Sequence, residues 1–486
     1  MRVLFVVAEM VPFAKTGGLA DVAGALPPAL RDLGVDVRVL MPRYAAVDPG
    51  RHGLKRVGEV SAPVEGRGEL AGIWEGSLAG KVPVWFLDHL GYYGRPGIYG
   101  ERGQDYGDNL HRFTFLCRAA LAWVRLAGWV PDVFHCHDWH TAMVPIYLDT
   151  VERGASVLGG TATLFTIHNL AYQGIFPREQ FPVTGLPEEV YWSRLEFYGS
   201  LNLMKGALLS ADLLSTVSET YAREIQTPEF GYGLDGVLRT RSQDLYGVLN
   251  GVDYSVWDPR MDPYIPARYG LEDLSGKRIC KRALQAEFGL PDEPEVPLLG
   301  MVTRLVDQKG LDLVQECLER MVAAGVQFVL LGMGDPRYEA AFTDAAQRYP
   351  RNVGVRIGFD EGLAHRIEAG CDLFLMPSRY EPSGLNQLYS LRYGTVPVVR
   401  RTGGLADSII DATPEAIARG EANGFVFEAY TPDALWEAIR RALDAFRNPA
   451  LWRTLVQAGM RADFSWSRSA RRYMELYERA RAKKRR

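Results

Sequence analysis

Along the first forty residues the hydrophobic pattern changes its period twice. RVLFVVAEM (2–10) is an almost unbroken apolar run, LADVAGALPPALRDLG (19–34) carries its apolar residues at helical spacing, and VDVRVLM (35–41) is a second apolar run. The same alternation returns at DVFHCHD (132–138), TATLFTIHN (161–169) and DLLSTVS (212–218), each run ending in polar residues. Short β-branched runs alternating with helical stretches predict parallel sheets covered on both faces by helices.

The pattern restarts in the second half. PLLGMVTRL (297–305) is followed by a predicted helix from about Leu311 to Ala324, then by VQFVLLGMG, NVGVRIG, CDLFLMPS and TVPVVRR. Between the halves, WDPRMDPYIPARYG (257–270) is rich in Pro, Asp and Tyr and reads as irregular connection. The expected fold class is therefore α/β, with two doubly wound Rossmann-like domains facing a deep cleft. The expected boundaries are 1–248 for the first domain, 249–463 for the second, and 464–486 for a C-terminal helix that crosses back to the first. That helix has Trp466, Tyr473, Leu476 and Tyr477 as its apolar face. Packing accounts for those aromatics, and they are assigned no chemistry.

Composition narrows the class without naming a function. At 486 residues the chain exceeds one ordinary core, and its formal charge of −4 gives no footprint for nucleic acid. The only basic cluster, RAKKRR at the end, reads as a solvated helix terminus. Five scattered cysteines without a C-x-x-C suit a reducing compartment and exclude a disulfide framework. MRVLFVVAEMVPF is too short an apolar run for a signal peptide and is broken by Glu9, and no run reaches membrane-spanning length. A cytoplasmic protein without a membrane partner is expected, and nothing in the sequence fixes its oligomeric state.

Polar and glycine residues collect where the predicted strands end, the edge at which open α/β sheets bind ligands. They include Glu9 to Gly18, Asp138, His168 with Asn169, Ser218 with Glu219, Arg304, Gly332 to Asp335, and Ser378 to Gly384. The hexapeptide TGGLAD occurs at both Thr16 and Thr402, each time between a β-rich run and a helix-compatible stretch. Its glycines allow close approach to phosphate or sugar hydroxyls at a helix N-terminus, and a plain strand-to-helix turn accounts for them equally. In MVTRLVDQKG, Arg304 and Lys309 form a pair of cations suited to a diphosphate, although each alone is an ordinary surface residue. Glu381, after the buried run CDLFLMPS, either accepts hydrogen bonds from sugar hydroxyls or offsets the dipole of a helix starting near Gly384 or Leu385. HCHDWH, with His135, His137 and His140, has no second ligand cluster and no D-x-D occurs, so no metal is assigned.

Taken together, KTGGLADV (15–22), Tyr106 with DNLHRF (108–113), HDWHT (137–141), TIHNLAYQG (166–174), NGVD (250–253), WDP (257–259), TRLVDQKG (303–310), the block SRYEPSGLNQLYSLRYGTVPVVRRTGGLAD (378–407) and DFSW (463–466) resemble the ADP-glucose-using glycogen/starch synthase family. The resemblance covers nearly the whole chain. It implies a B-type glycosyltransferase fold and transfer of glucose from ADP-glucose to the non-reducing end of an α-1,4-glucan such as glycogen, with retention; from the missing D-x-D, no metal or other cofactor is expected. It implies that Glu381 is the catalytic glutamate and that His168 lies beside the reacting sugar. Arg304 and Lys309 would neutralise the diphosphate, with Asp138 also in the catalytic set. Lys15, Gly17, Gly18, Tyr99, Asn250, Ser383, Gly384, Leu385, Thr402 and Gly403 would line the substrates, and Phe359 would stack on adenine.

Two positions depart from the family pattern: Ser383 stands where many members have Cys, and Cys280 where Asn is frequent. The first weakens any case for an essential thiol. Two other readings stay open at this level, a UDP-glucose-dependent B-type glucosyltransferase and a catalytically silent two-lobed glycan-binding protein.

Overall fold

The structure is a computed structural model that describes residues 1–101, 103–152, 154 and 156–485; Arg486, the last residue of the expected C-terminal helix, lies outside them. The chain divides into two compact units. One is Met1–Gly251 together with the C-terminal helix Trp466–Lys484, and the other is Val252–Ser465.

The first unit is built on a nine-stranded sheet. In spatial order its strands are Leu245–Gly247, Leu213–Thr216, Ala162–Ile167, Val133–His137, Arg2–Val6, Asp36–Pro42, Val82–Asp88, Arg67–Leu78 and Lys55–Val64. The first seven run parallel. The last two form an antiparallel hairpin at one edge, a departure from the wholly parallel sheet that the pattern predicts. Burial explains the departure: Lys55–Val64 alternates buried and exposed positions, whereas Val133–His137 is buried throughout. From Arg2–Val6 the chain winds outward in both directions, so the strand order reverses between Arg2–Val6 and Val133–His137. That reversal is where ligand crevices open in such sheets.

The C-terminal helix belongs to this unit's core. Trp466, Ala470, Tyr473, Leu476, Tyr477 and Ala480 recur at helical spacing and are buried against it. Burying each large apolar side chain contributes roughly 1.5–3 kcal/mol, and Tyr477 adds a hydrogen bond of 2.9 Å between its hydroxyl and His135 Nδ1.

The second unit has a six-stranded, wholly parallel sheet in the order Val353–Ile357, Gln327–Gly332, Leu298–Val302, Leu373–Met376, Val396–Arg400, Phe425–Phe427. This is the 3-2-1-4-5-6 order of a dinucleotide-binding Rossmann sheet, with its reversal between Leu298–Val302 and Leu373–Met376. The helix expected at Leu311 runs Leu311–Ala323.

Candidate active site

In the first unit, the two strands flanking the reversal each deliver a buried carboxylate. Glu9 follows Arg2–Val6 and is 4% exposed; Asp138 follows Val133–His137 and is 8% exposed. Glu9 Oε2 accepts from the backbone N–H and hydroxyl of Thr16 and from the N–H of Gly17, fastening the first TGGLAD copy before its helix, Gly18–Asp32, begins. Burial raises the Glu9 carboxyl above its ordinary value despite these bonds. Beyond Gly18, a Cβ would meet nothing within 4 Å, so this copy leaves open space beside its backbone. Lys15 is half-exposed and pairs with Asp21 at 2.7 Å.

Asp138 holds a positive φ of 54°, rare for a non-glycine residue and a form of strain that collects at functional sites. Its Oδ1 accepts from the His168 N–H at 2.7 Å, and the Asn169 N–H also donates to the carboxylate. Burial above all, with the nearby Glu9 charge, pushes the Asp138 carboxyl up to about 7. The consequence is positional: Asp138 fixes the peptide of His168, the residue that ends Ala162–Ile167. The His168 ring meets His137, Nε2 to Nδ1, at 3.0 Å, and burial brings its pKa down to about 3, so it is neutral at physiological pH.

The histidines of HCHDWH pack within the fold, His137 Nε2 and His140 Nδ1 having no hydrogen-bond partner among the described residues. His135 bonds Thr166 Oγ1 as well as Tyr477, and its ring lies 4.1 Å from that of His137. His140 stacks on Tyr99 at 4.5 Å. Among the described residues no group of three His, Cys, Asp or Glu side chains could hold a metal ion. The Tyr99 hydroxyl is buried, with its pKa raised by that burial and by the charge of Glu9. Asn250 is buried at the end of this unit, its Oδ1 without a partner among the described residues.

In the second unit the reversal again gathers the expected residues. Arg304 leaves the end of Leu298–Val302, is exposed, and reaches Gln308 at 3.5 Å. Lys309, on the turn Asp307–Lys309, donates to Glu381 Oε2 at 2.6 Å, and Ser378 donates to the same oxygen at 3.1 Å. Glu381 is 5% exposed and caps no helix: the next helix is Asn386–Tyr393, and its first turn receives no side-chain cap. The helix starts one residue later than Leu385.

The loop between Glu381 and that helix is drawn tight. Gly384 has φ 67°, and Gln387 Nε2 donates to the carbonyls of Ser383 and Gly384. Asn386 Nδ2 donates to Val302 O at 2.7 Å, tying the loop to the strand that precedes Arg304. The Ser383 hydroxyl is buried without a partner among the described residues, and Leu385 is half-buried. Phe359 is 79% exposed. The second TGGLAD copy differs from the first. Thr402 is buried, and Cβ atoms at Gly403 and Gly404 would lie 1.9 Å from Glu381 O and 2.0 Å from Ser383 O. Here the glycines let one backbone press against another, holding the Glu381 loop.

Three contributors have no role in the sequence reading: Glu9 as the anchor of Thr16, Ser378 as a second donor to Glu381, and Gln387 as the brace of the 383–384 turn. Glu9 and Ser378 carry a positional signal, each a polar residue at the end of an apolar run, but nothing in the sequence gives their partners. Gln387 is an ordinary residue type that only the fold brings into place.

The chain is similar to known proteins along nearly its whole length. A family model for the starch synthase catalytic domain matches residues 2–240, and one for glycosyl transferases group 1 matches residues 284–450. A glycogen synthase of Anaeromyxobacter dehalogenans is 54% identical over 479 residues, 98% of each chain. Glycogen synthase 1 of Geobacter sulfurreducens is 49% identical over 489 residues, covering 99% of this chain and 96% of that protein. Among solved structures, the catalytic domain of starch synthase IV from Arabidopsis thaliana bound to ADP and acarbose matches with a TM-score of 0.90 at 36% identity, over 99% of both chains. A sucrose-phosphate synthase from Thermosynechococcus elongatus, 18% identical, shares the fold with a TM-score of 0.60 over 99% of both chains. With relatives matching it from end to end, the chain belongs to the glycogen and starch synthase family of glycosyltransferases and has their B-type fold of two Rossmann-like domains.

Proposed function

We propose that this glycosyltransferase moves glucose from ADP-glucose to the non-reducing end of an α-1,4-glucan, retains the anomeric configuration and releases ADP. The observation that carries the reading is the Lys309–Glu381 pair beside Arg304 at the reversal of the second sheet. When the bond from the sugar C1 to the β-phosphate oxygen breaks, negative charge grows on the phosphate and positive charge on the sugar. Arg304 and Lys309 meet the first, as fixed charges that need no reorganisation. Glu381, held by Lys309 and Ser378, accepts hydrogen bonds from the donor glucose. The His168 carbonyl, on a peptide fixed by Asp138, faces the developing oxocarbenium. The acceptor hydroxyl attacks C1 from the face that ADP leaves and passes its proton to the departing phosphate, which accounts for retention.

The remaining expected residues take binding roles. Lys15, Gly17 and Gly18 lie with the donor phosphates and sugar, and Gly384 and Leu385 offer backbone N–H groups to the diphosphate. The unpartnered Ser383 hydroxyl donates to the same ligand, and Phe359 stacks on adenine. Thr402 and Gly403 support them, while Tyr99 and Asn250 serve the sugar-binding side. The reaction is proposed to need no metal, the two cations serving the leaving group. Five unpaired, buried cysteines fit a cytoplasmic location, and no helix among the described residues is long and apolar enough to cross a membrane.

ADP release from ADP-glucose, with and without glycogen and with UDP-glucose in parallel, tests the reading. Glycogen-dependent release from ADP-glucose, unaffected by EDTA, is expected. Preference for UDP-glucose would replace the donor, and glycogen binding without ADP release would favour a silent glycan-binding protein.

A further inference from the structure

Among the described residues, four turns place a non-glycine residue and then a glycine at positive φ. Two of them, Glu65-Gly66 and Ala79-Gly80, close the edge hairpins of the first sheet with a charged or a small residue. The other two carry tyrosine. Tyr198-Gly199, with φ of 50° and 84°, is the two-residue turn between Glu196–Phe197 and Ser200–Asn202. Tyr232-Gly233, with φ of 49° and 81°, is closed by the Leu234 N–H donating to Gly231 O at 2.8 Å. Such turns favour Asn, Asp or Gly at the first central position, because a bulky side chain is strained there. Neither tyrosine is buried in the core: Tyr198 is 84% exposed and Tyr232 41%.

The two turns meet. A Cβ on Gly233 would lie 3.0 Å from the Phe197 ring and 3.7 Å from the Tyr198 ring. Both turns are tied to the loop that begins at His168. Gln173, buried on that loop, donates from Nε2 to Tyr232 O at 3.1 Å and accepts at Oε1 from Asn202 Nδ2 at 2.6 Å, on the strand that follows Tyr198-Gly199. Tyr172, next along the same loop, is 55% exposed.

From this juxtaposition we infer that Tyr198 and Tyr232 form a platform for the α-1,4-glucan acceptor, a role that rests on the proposed reaction. A tyrosine ring offers an apolar face to the C–H face of a pyranose and a hydroxyl to its rim. Strained, exposed tyrosines on two turns that meet, braced from the His168 loop, suit a chain of glucose units passing the reacting end.

The experiment is Tyr198→Asn/Tyr232→Asn, with glycogen affinity read by retardation in native gels and thermal stability read alongside. Asparagine suits both turns, so the Tm is expected to hold or rise while the glycogen dissociation constant increases about tenfold. Tyr198→Phe/Tyr232→Phe, which keeps the rings, should retain affinity within about twofold. Unchanged glycogen affinity in the Asn variant overturns the platform, as does a changed oligomeric state with affinity intact, which would make the patch a self-contact. The binding measurement is independent of ADP release, so an inactive parent that still binds glycogen through these rings would refute the reaction and leave the platform standing.

Discussion

Lys309 and Glu381 lie 72 residues apart in sequence and form an ion pair of 2.6 Å in which the glutamate is almost completely buried. Removing the cation alone strands a buried carboxylate, whereas removing both charges does not. Lys309→Met is therefore expected to lower stability more than Lys309→Met/Glu381→Gln, by about 1–3 kcal/mol in urea unfolding. Both should lose roughly 10²–10³ or more in turnover. A double variant no more stable than the single would show that the pair is not electrostatically coupled.

Arg304 offers the opposite case. It is exposed, and its side chain reaches Gln308 at 3.5 Å, so the fold asks little of it. Arg304→Ala should leave stability within about 0.5 kcal/mol yet cost about 10²–10³ in turnover if it meets charge on the leaving diphosphate. Near-parental turnover would remove it from the mechanism.

The two TGGLAD copies should respond differently to the same change. Gly403→Ala forces a Cβ to within 1.9 Å of Glu381 O at a residue with φ 44° and should cost at least about 2 kcal/mol. At Gly18 the Cβ meets nothing within 4 Å, so Gly18→Ala should keep the parental Tm and raise the KM for ADP-glucose. Equal Tm losses would contradict this contrast.

Asp138 should leave a signature in pH. With its folded pKa raised to about 7, the native chain keeps a proton that the unfolded chain releases from about pH 4 upward. The stability this proton contributes is present at low pH and is lost as pH rises towards 7, with a slope of at most about 1.4 kcal/mol per pH unit. Asp138→Asn is neutral throughout, so its stability relative to the parent should improve from about pH 4 to 7 and then level off. His140 and His168, both held near 3, act in the opposite direction but are common to the two proteins and cancel. A difference independent of pH would mean that the carboxyl titrates normally.

Ser383 is the informative departure from the family pattern, its buried hydroxyl having no partner among the described residues. Ser383→Cys should raise stability by up to about 1–2 kcal/mol, since a thiol tolerates an apolar site better. If the hydroxyl donates to ADP-glucose, the same variant should raise the KM for that donor with little change in kcat. A lower Tm with unchanged KM would oppose both expectations.

Much of this molecule was legible before any coordinates. The apolar runs ending in Glu9, Asp138, His168 and Arg304 read as buried strands with polar ends, because a period of hydrophobicity is a local property of the chain. The motifs carried Lys309 and Glu381 for the same reason: residue type and spacing are written in the sequence. What only the tertiary structure decided is which strands became neighbours, and so which polar ends met. Strand order put Glu9 beside Asp138 and Arg304 beside the Glu381 loop, and it placed Ser378 and Gln387 where they could brace that loop. It also separated the two TGGLAD copies into different roles. The first has open space beside Gly18 and the second is pressed against Glu381 and Ser383. Identical hexapeptides share a local conformational preference, but contact with distant backbone is set by packing, which six residues do not encode.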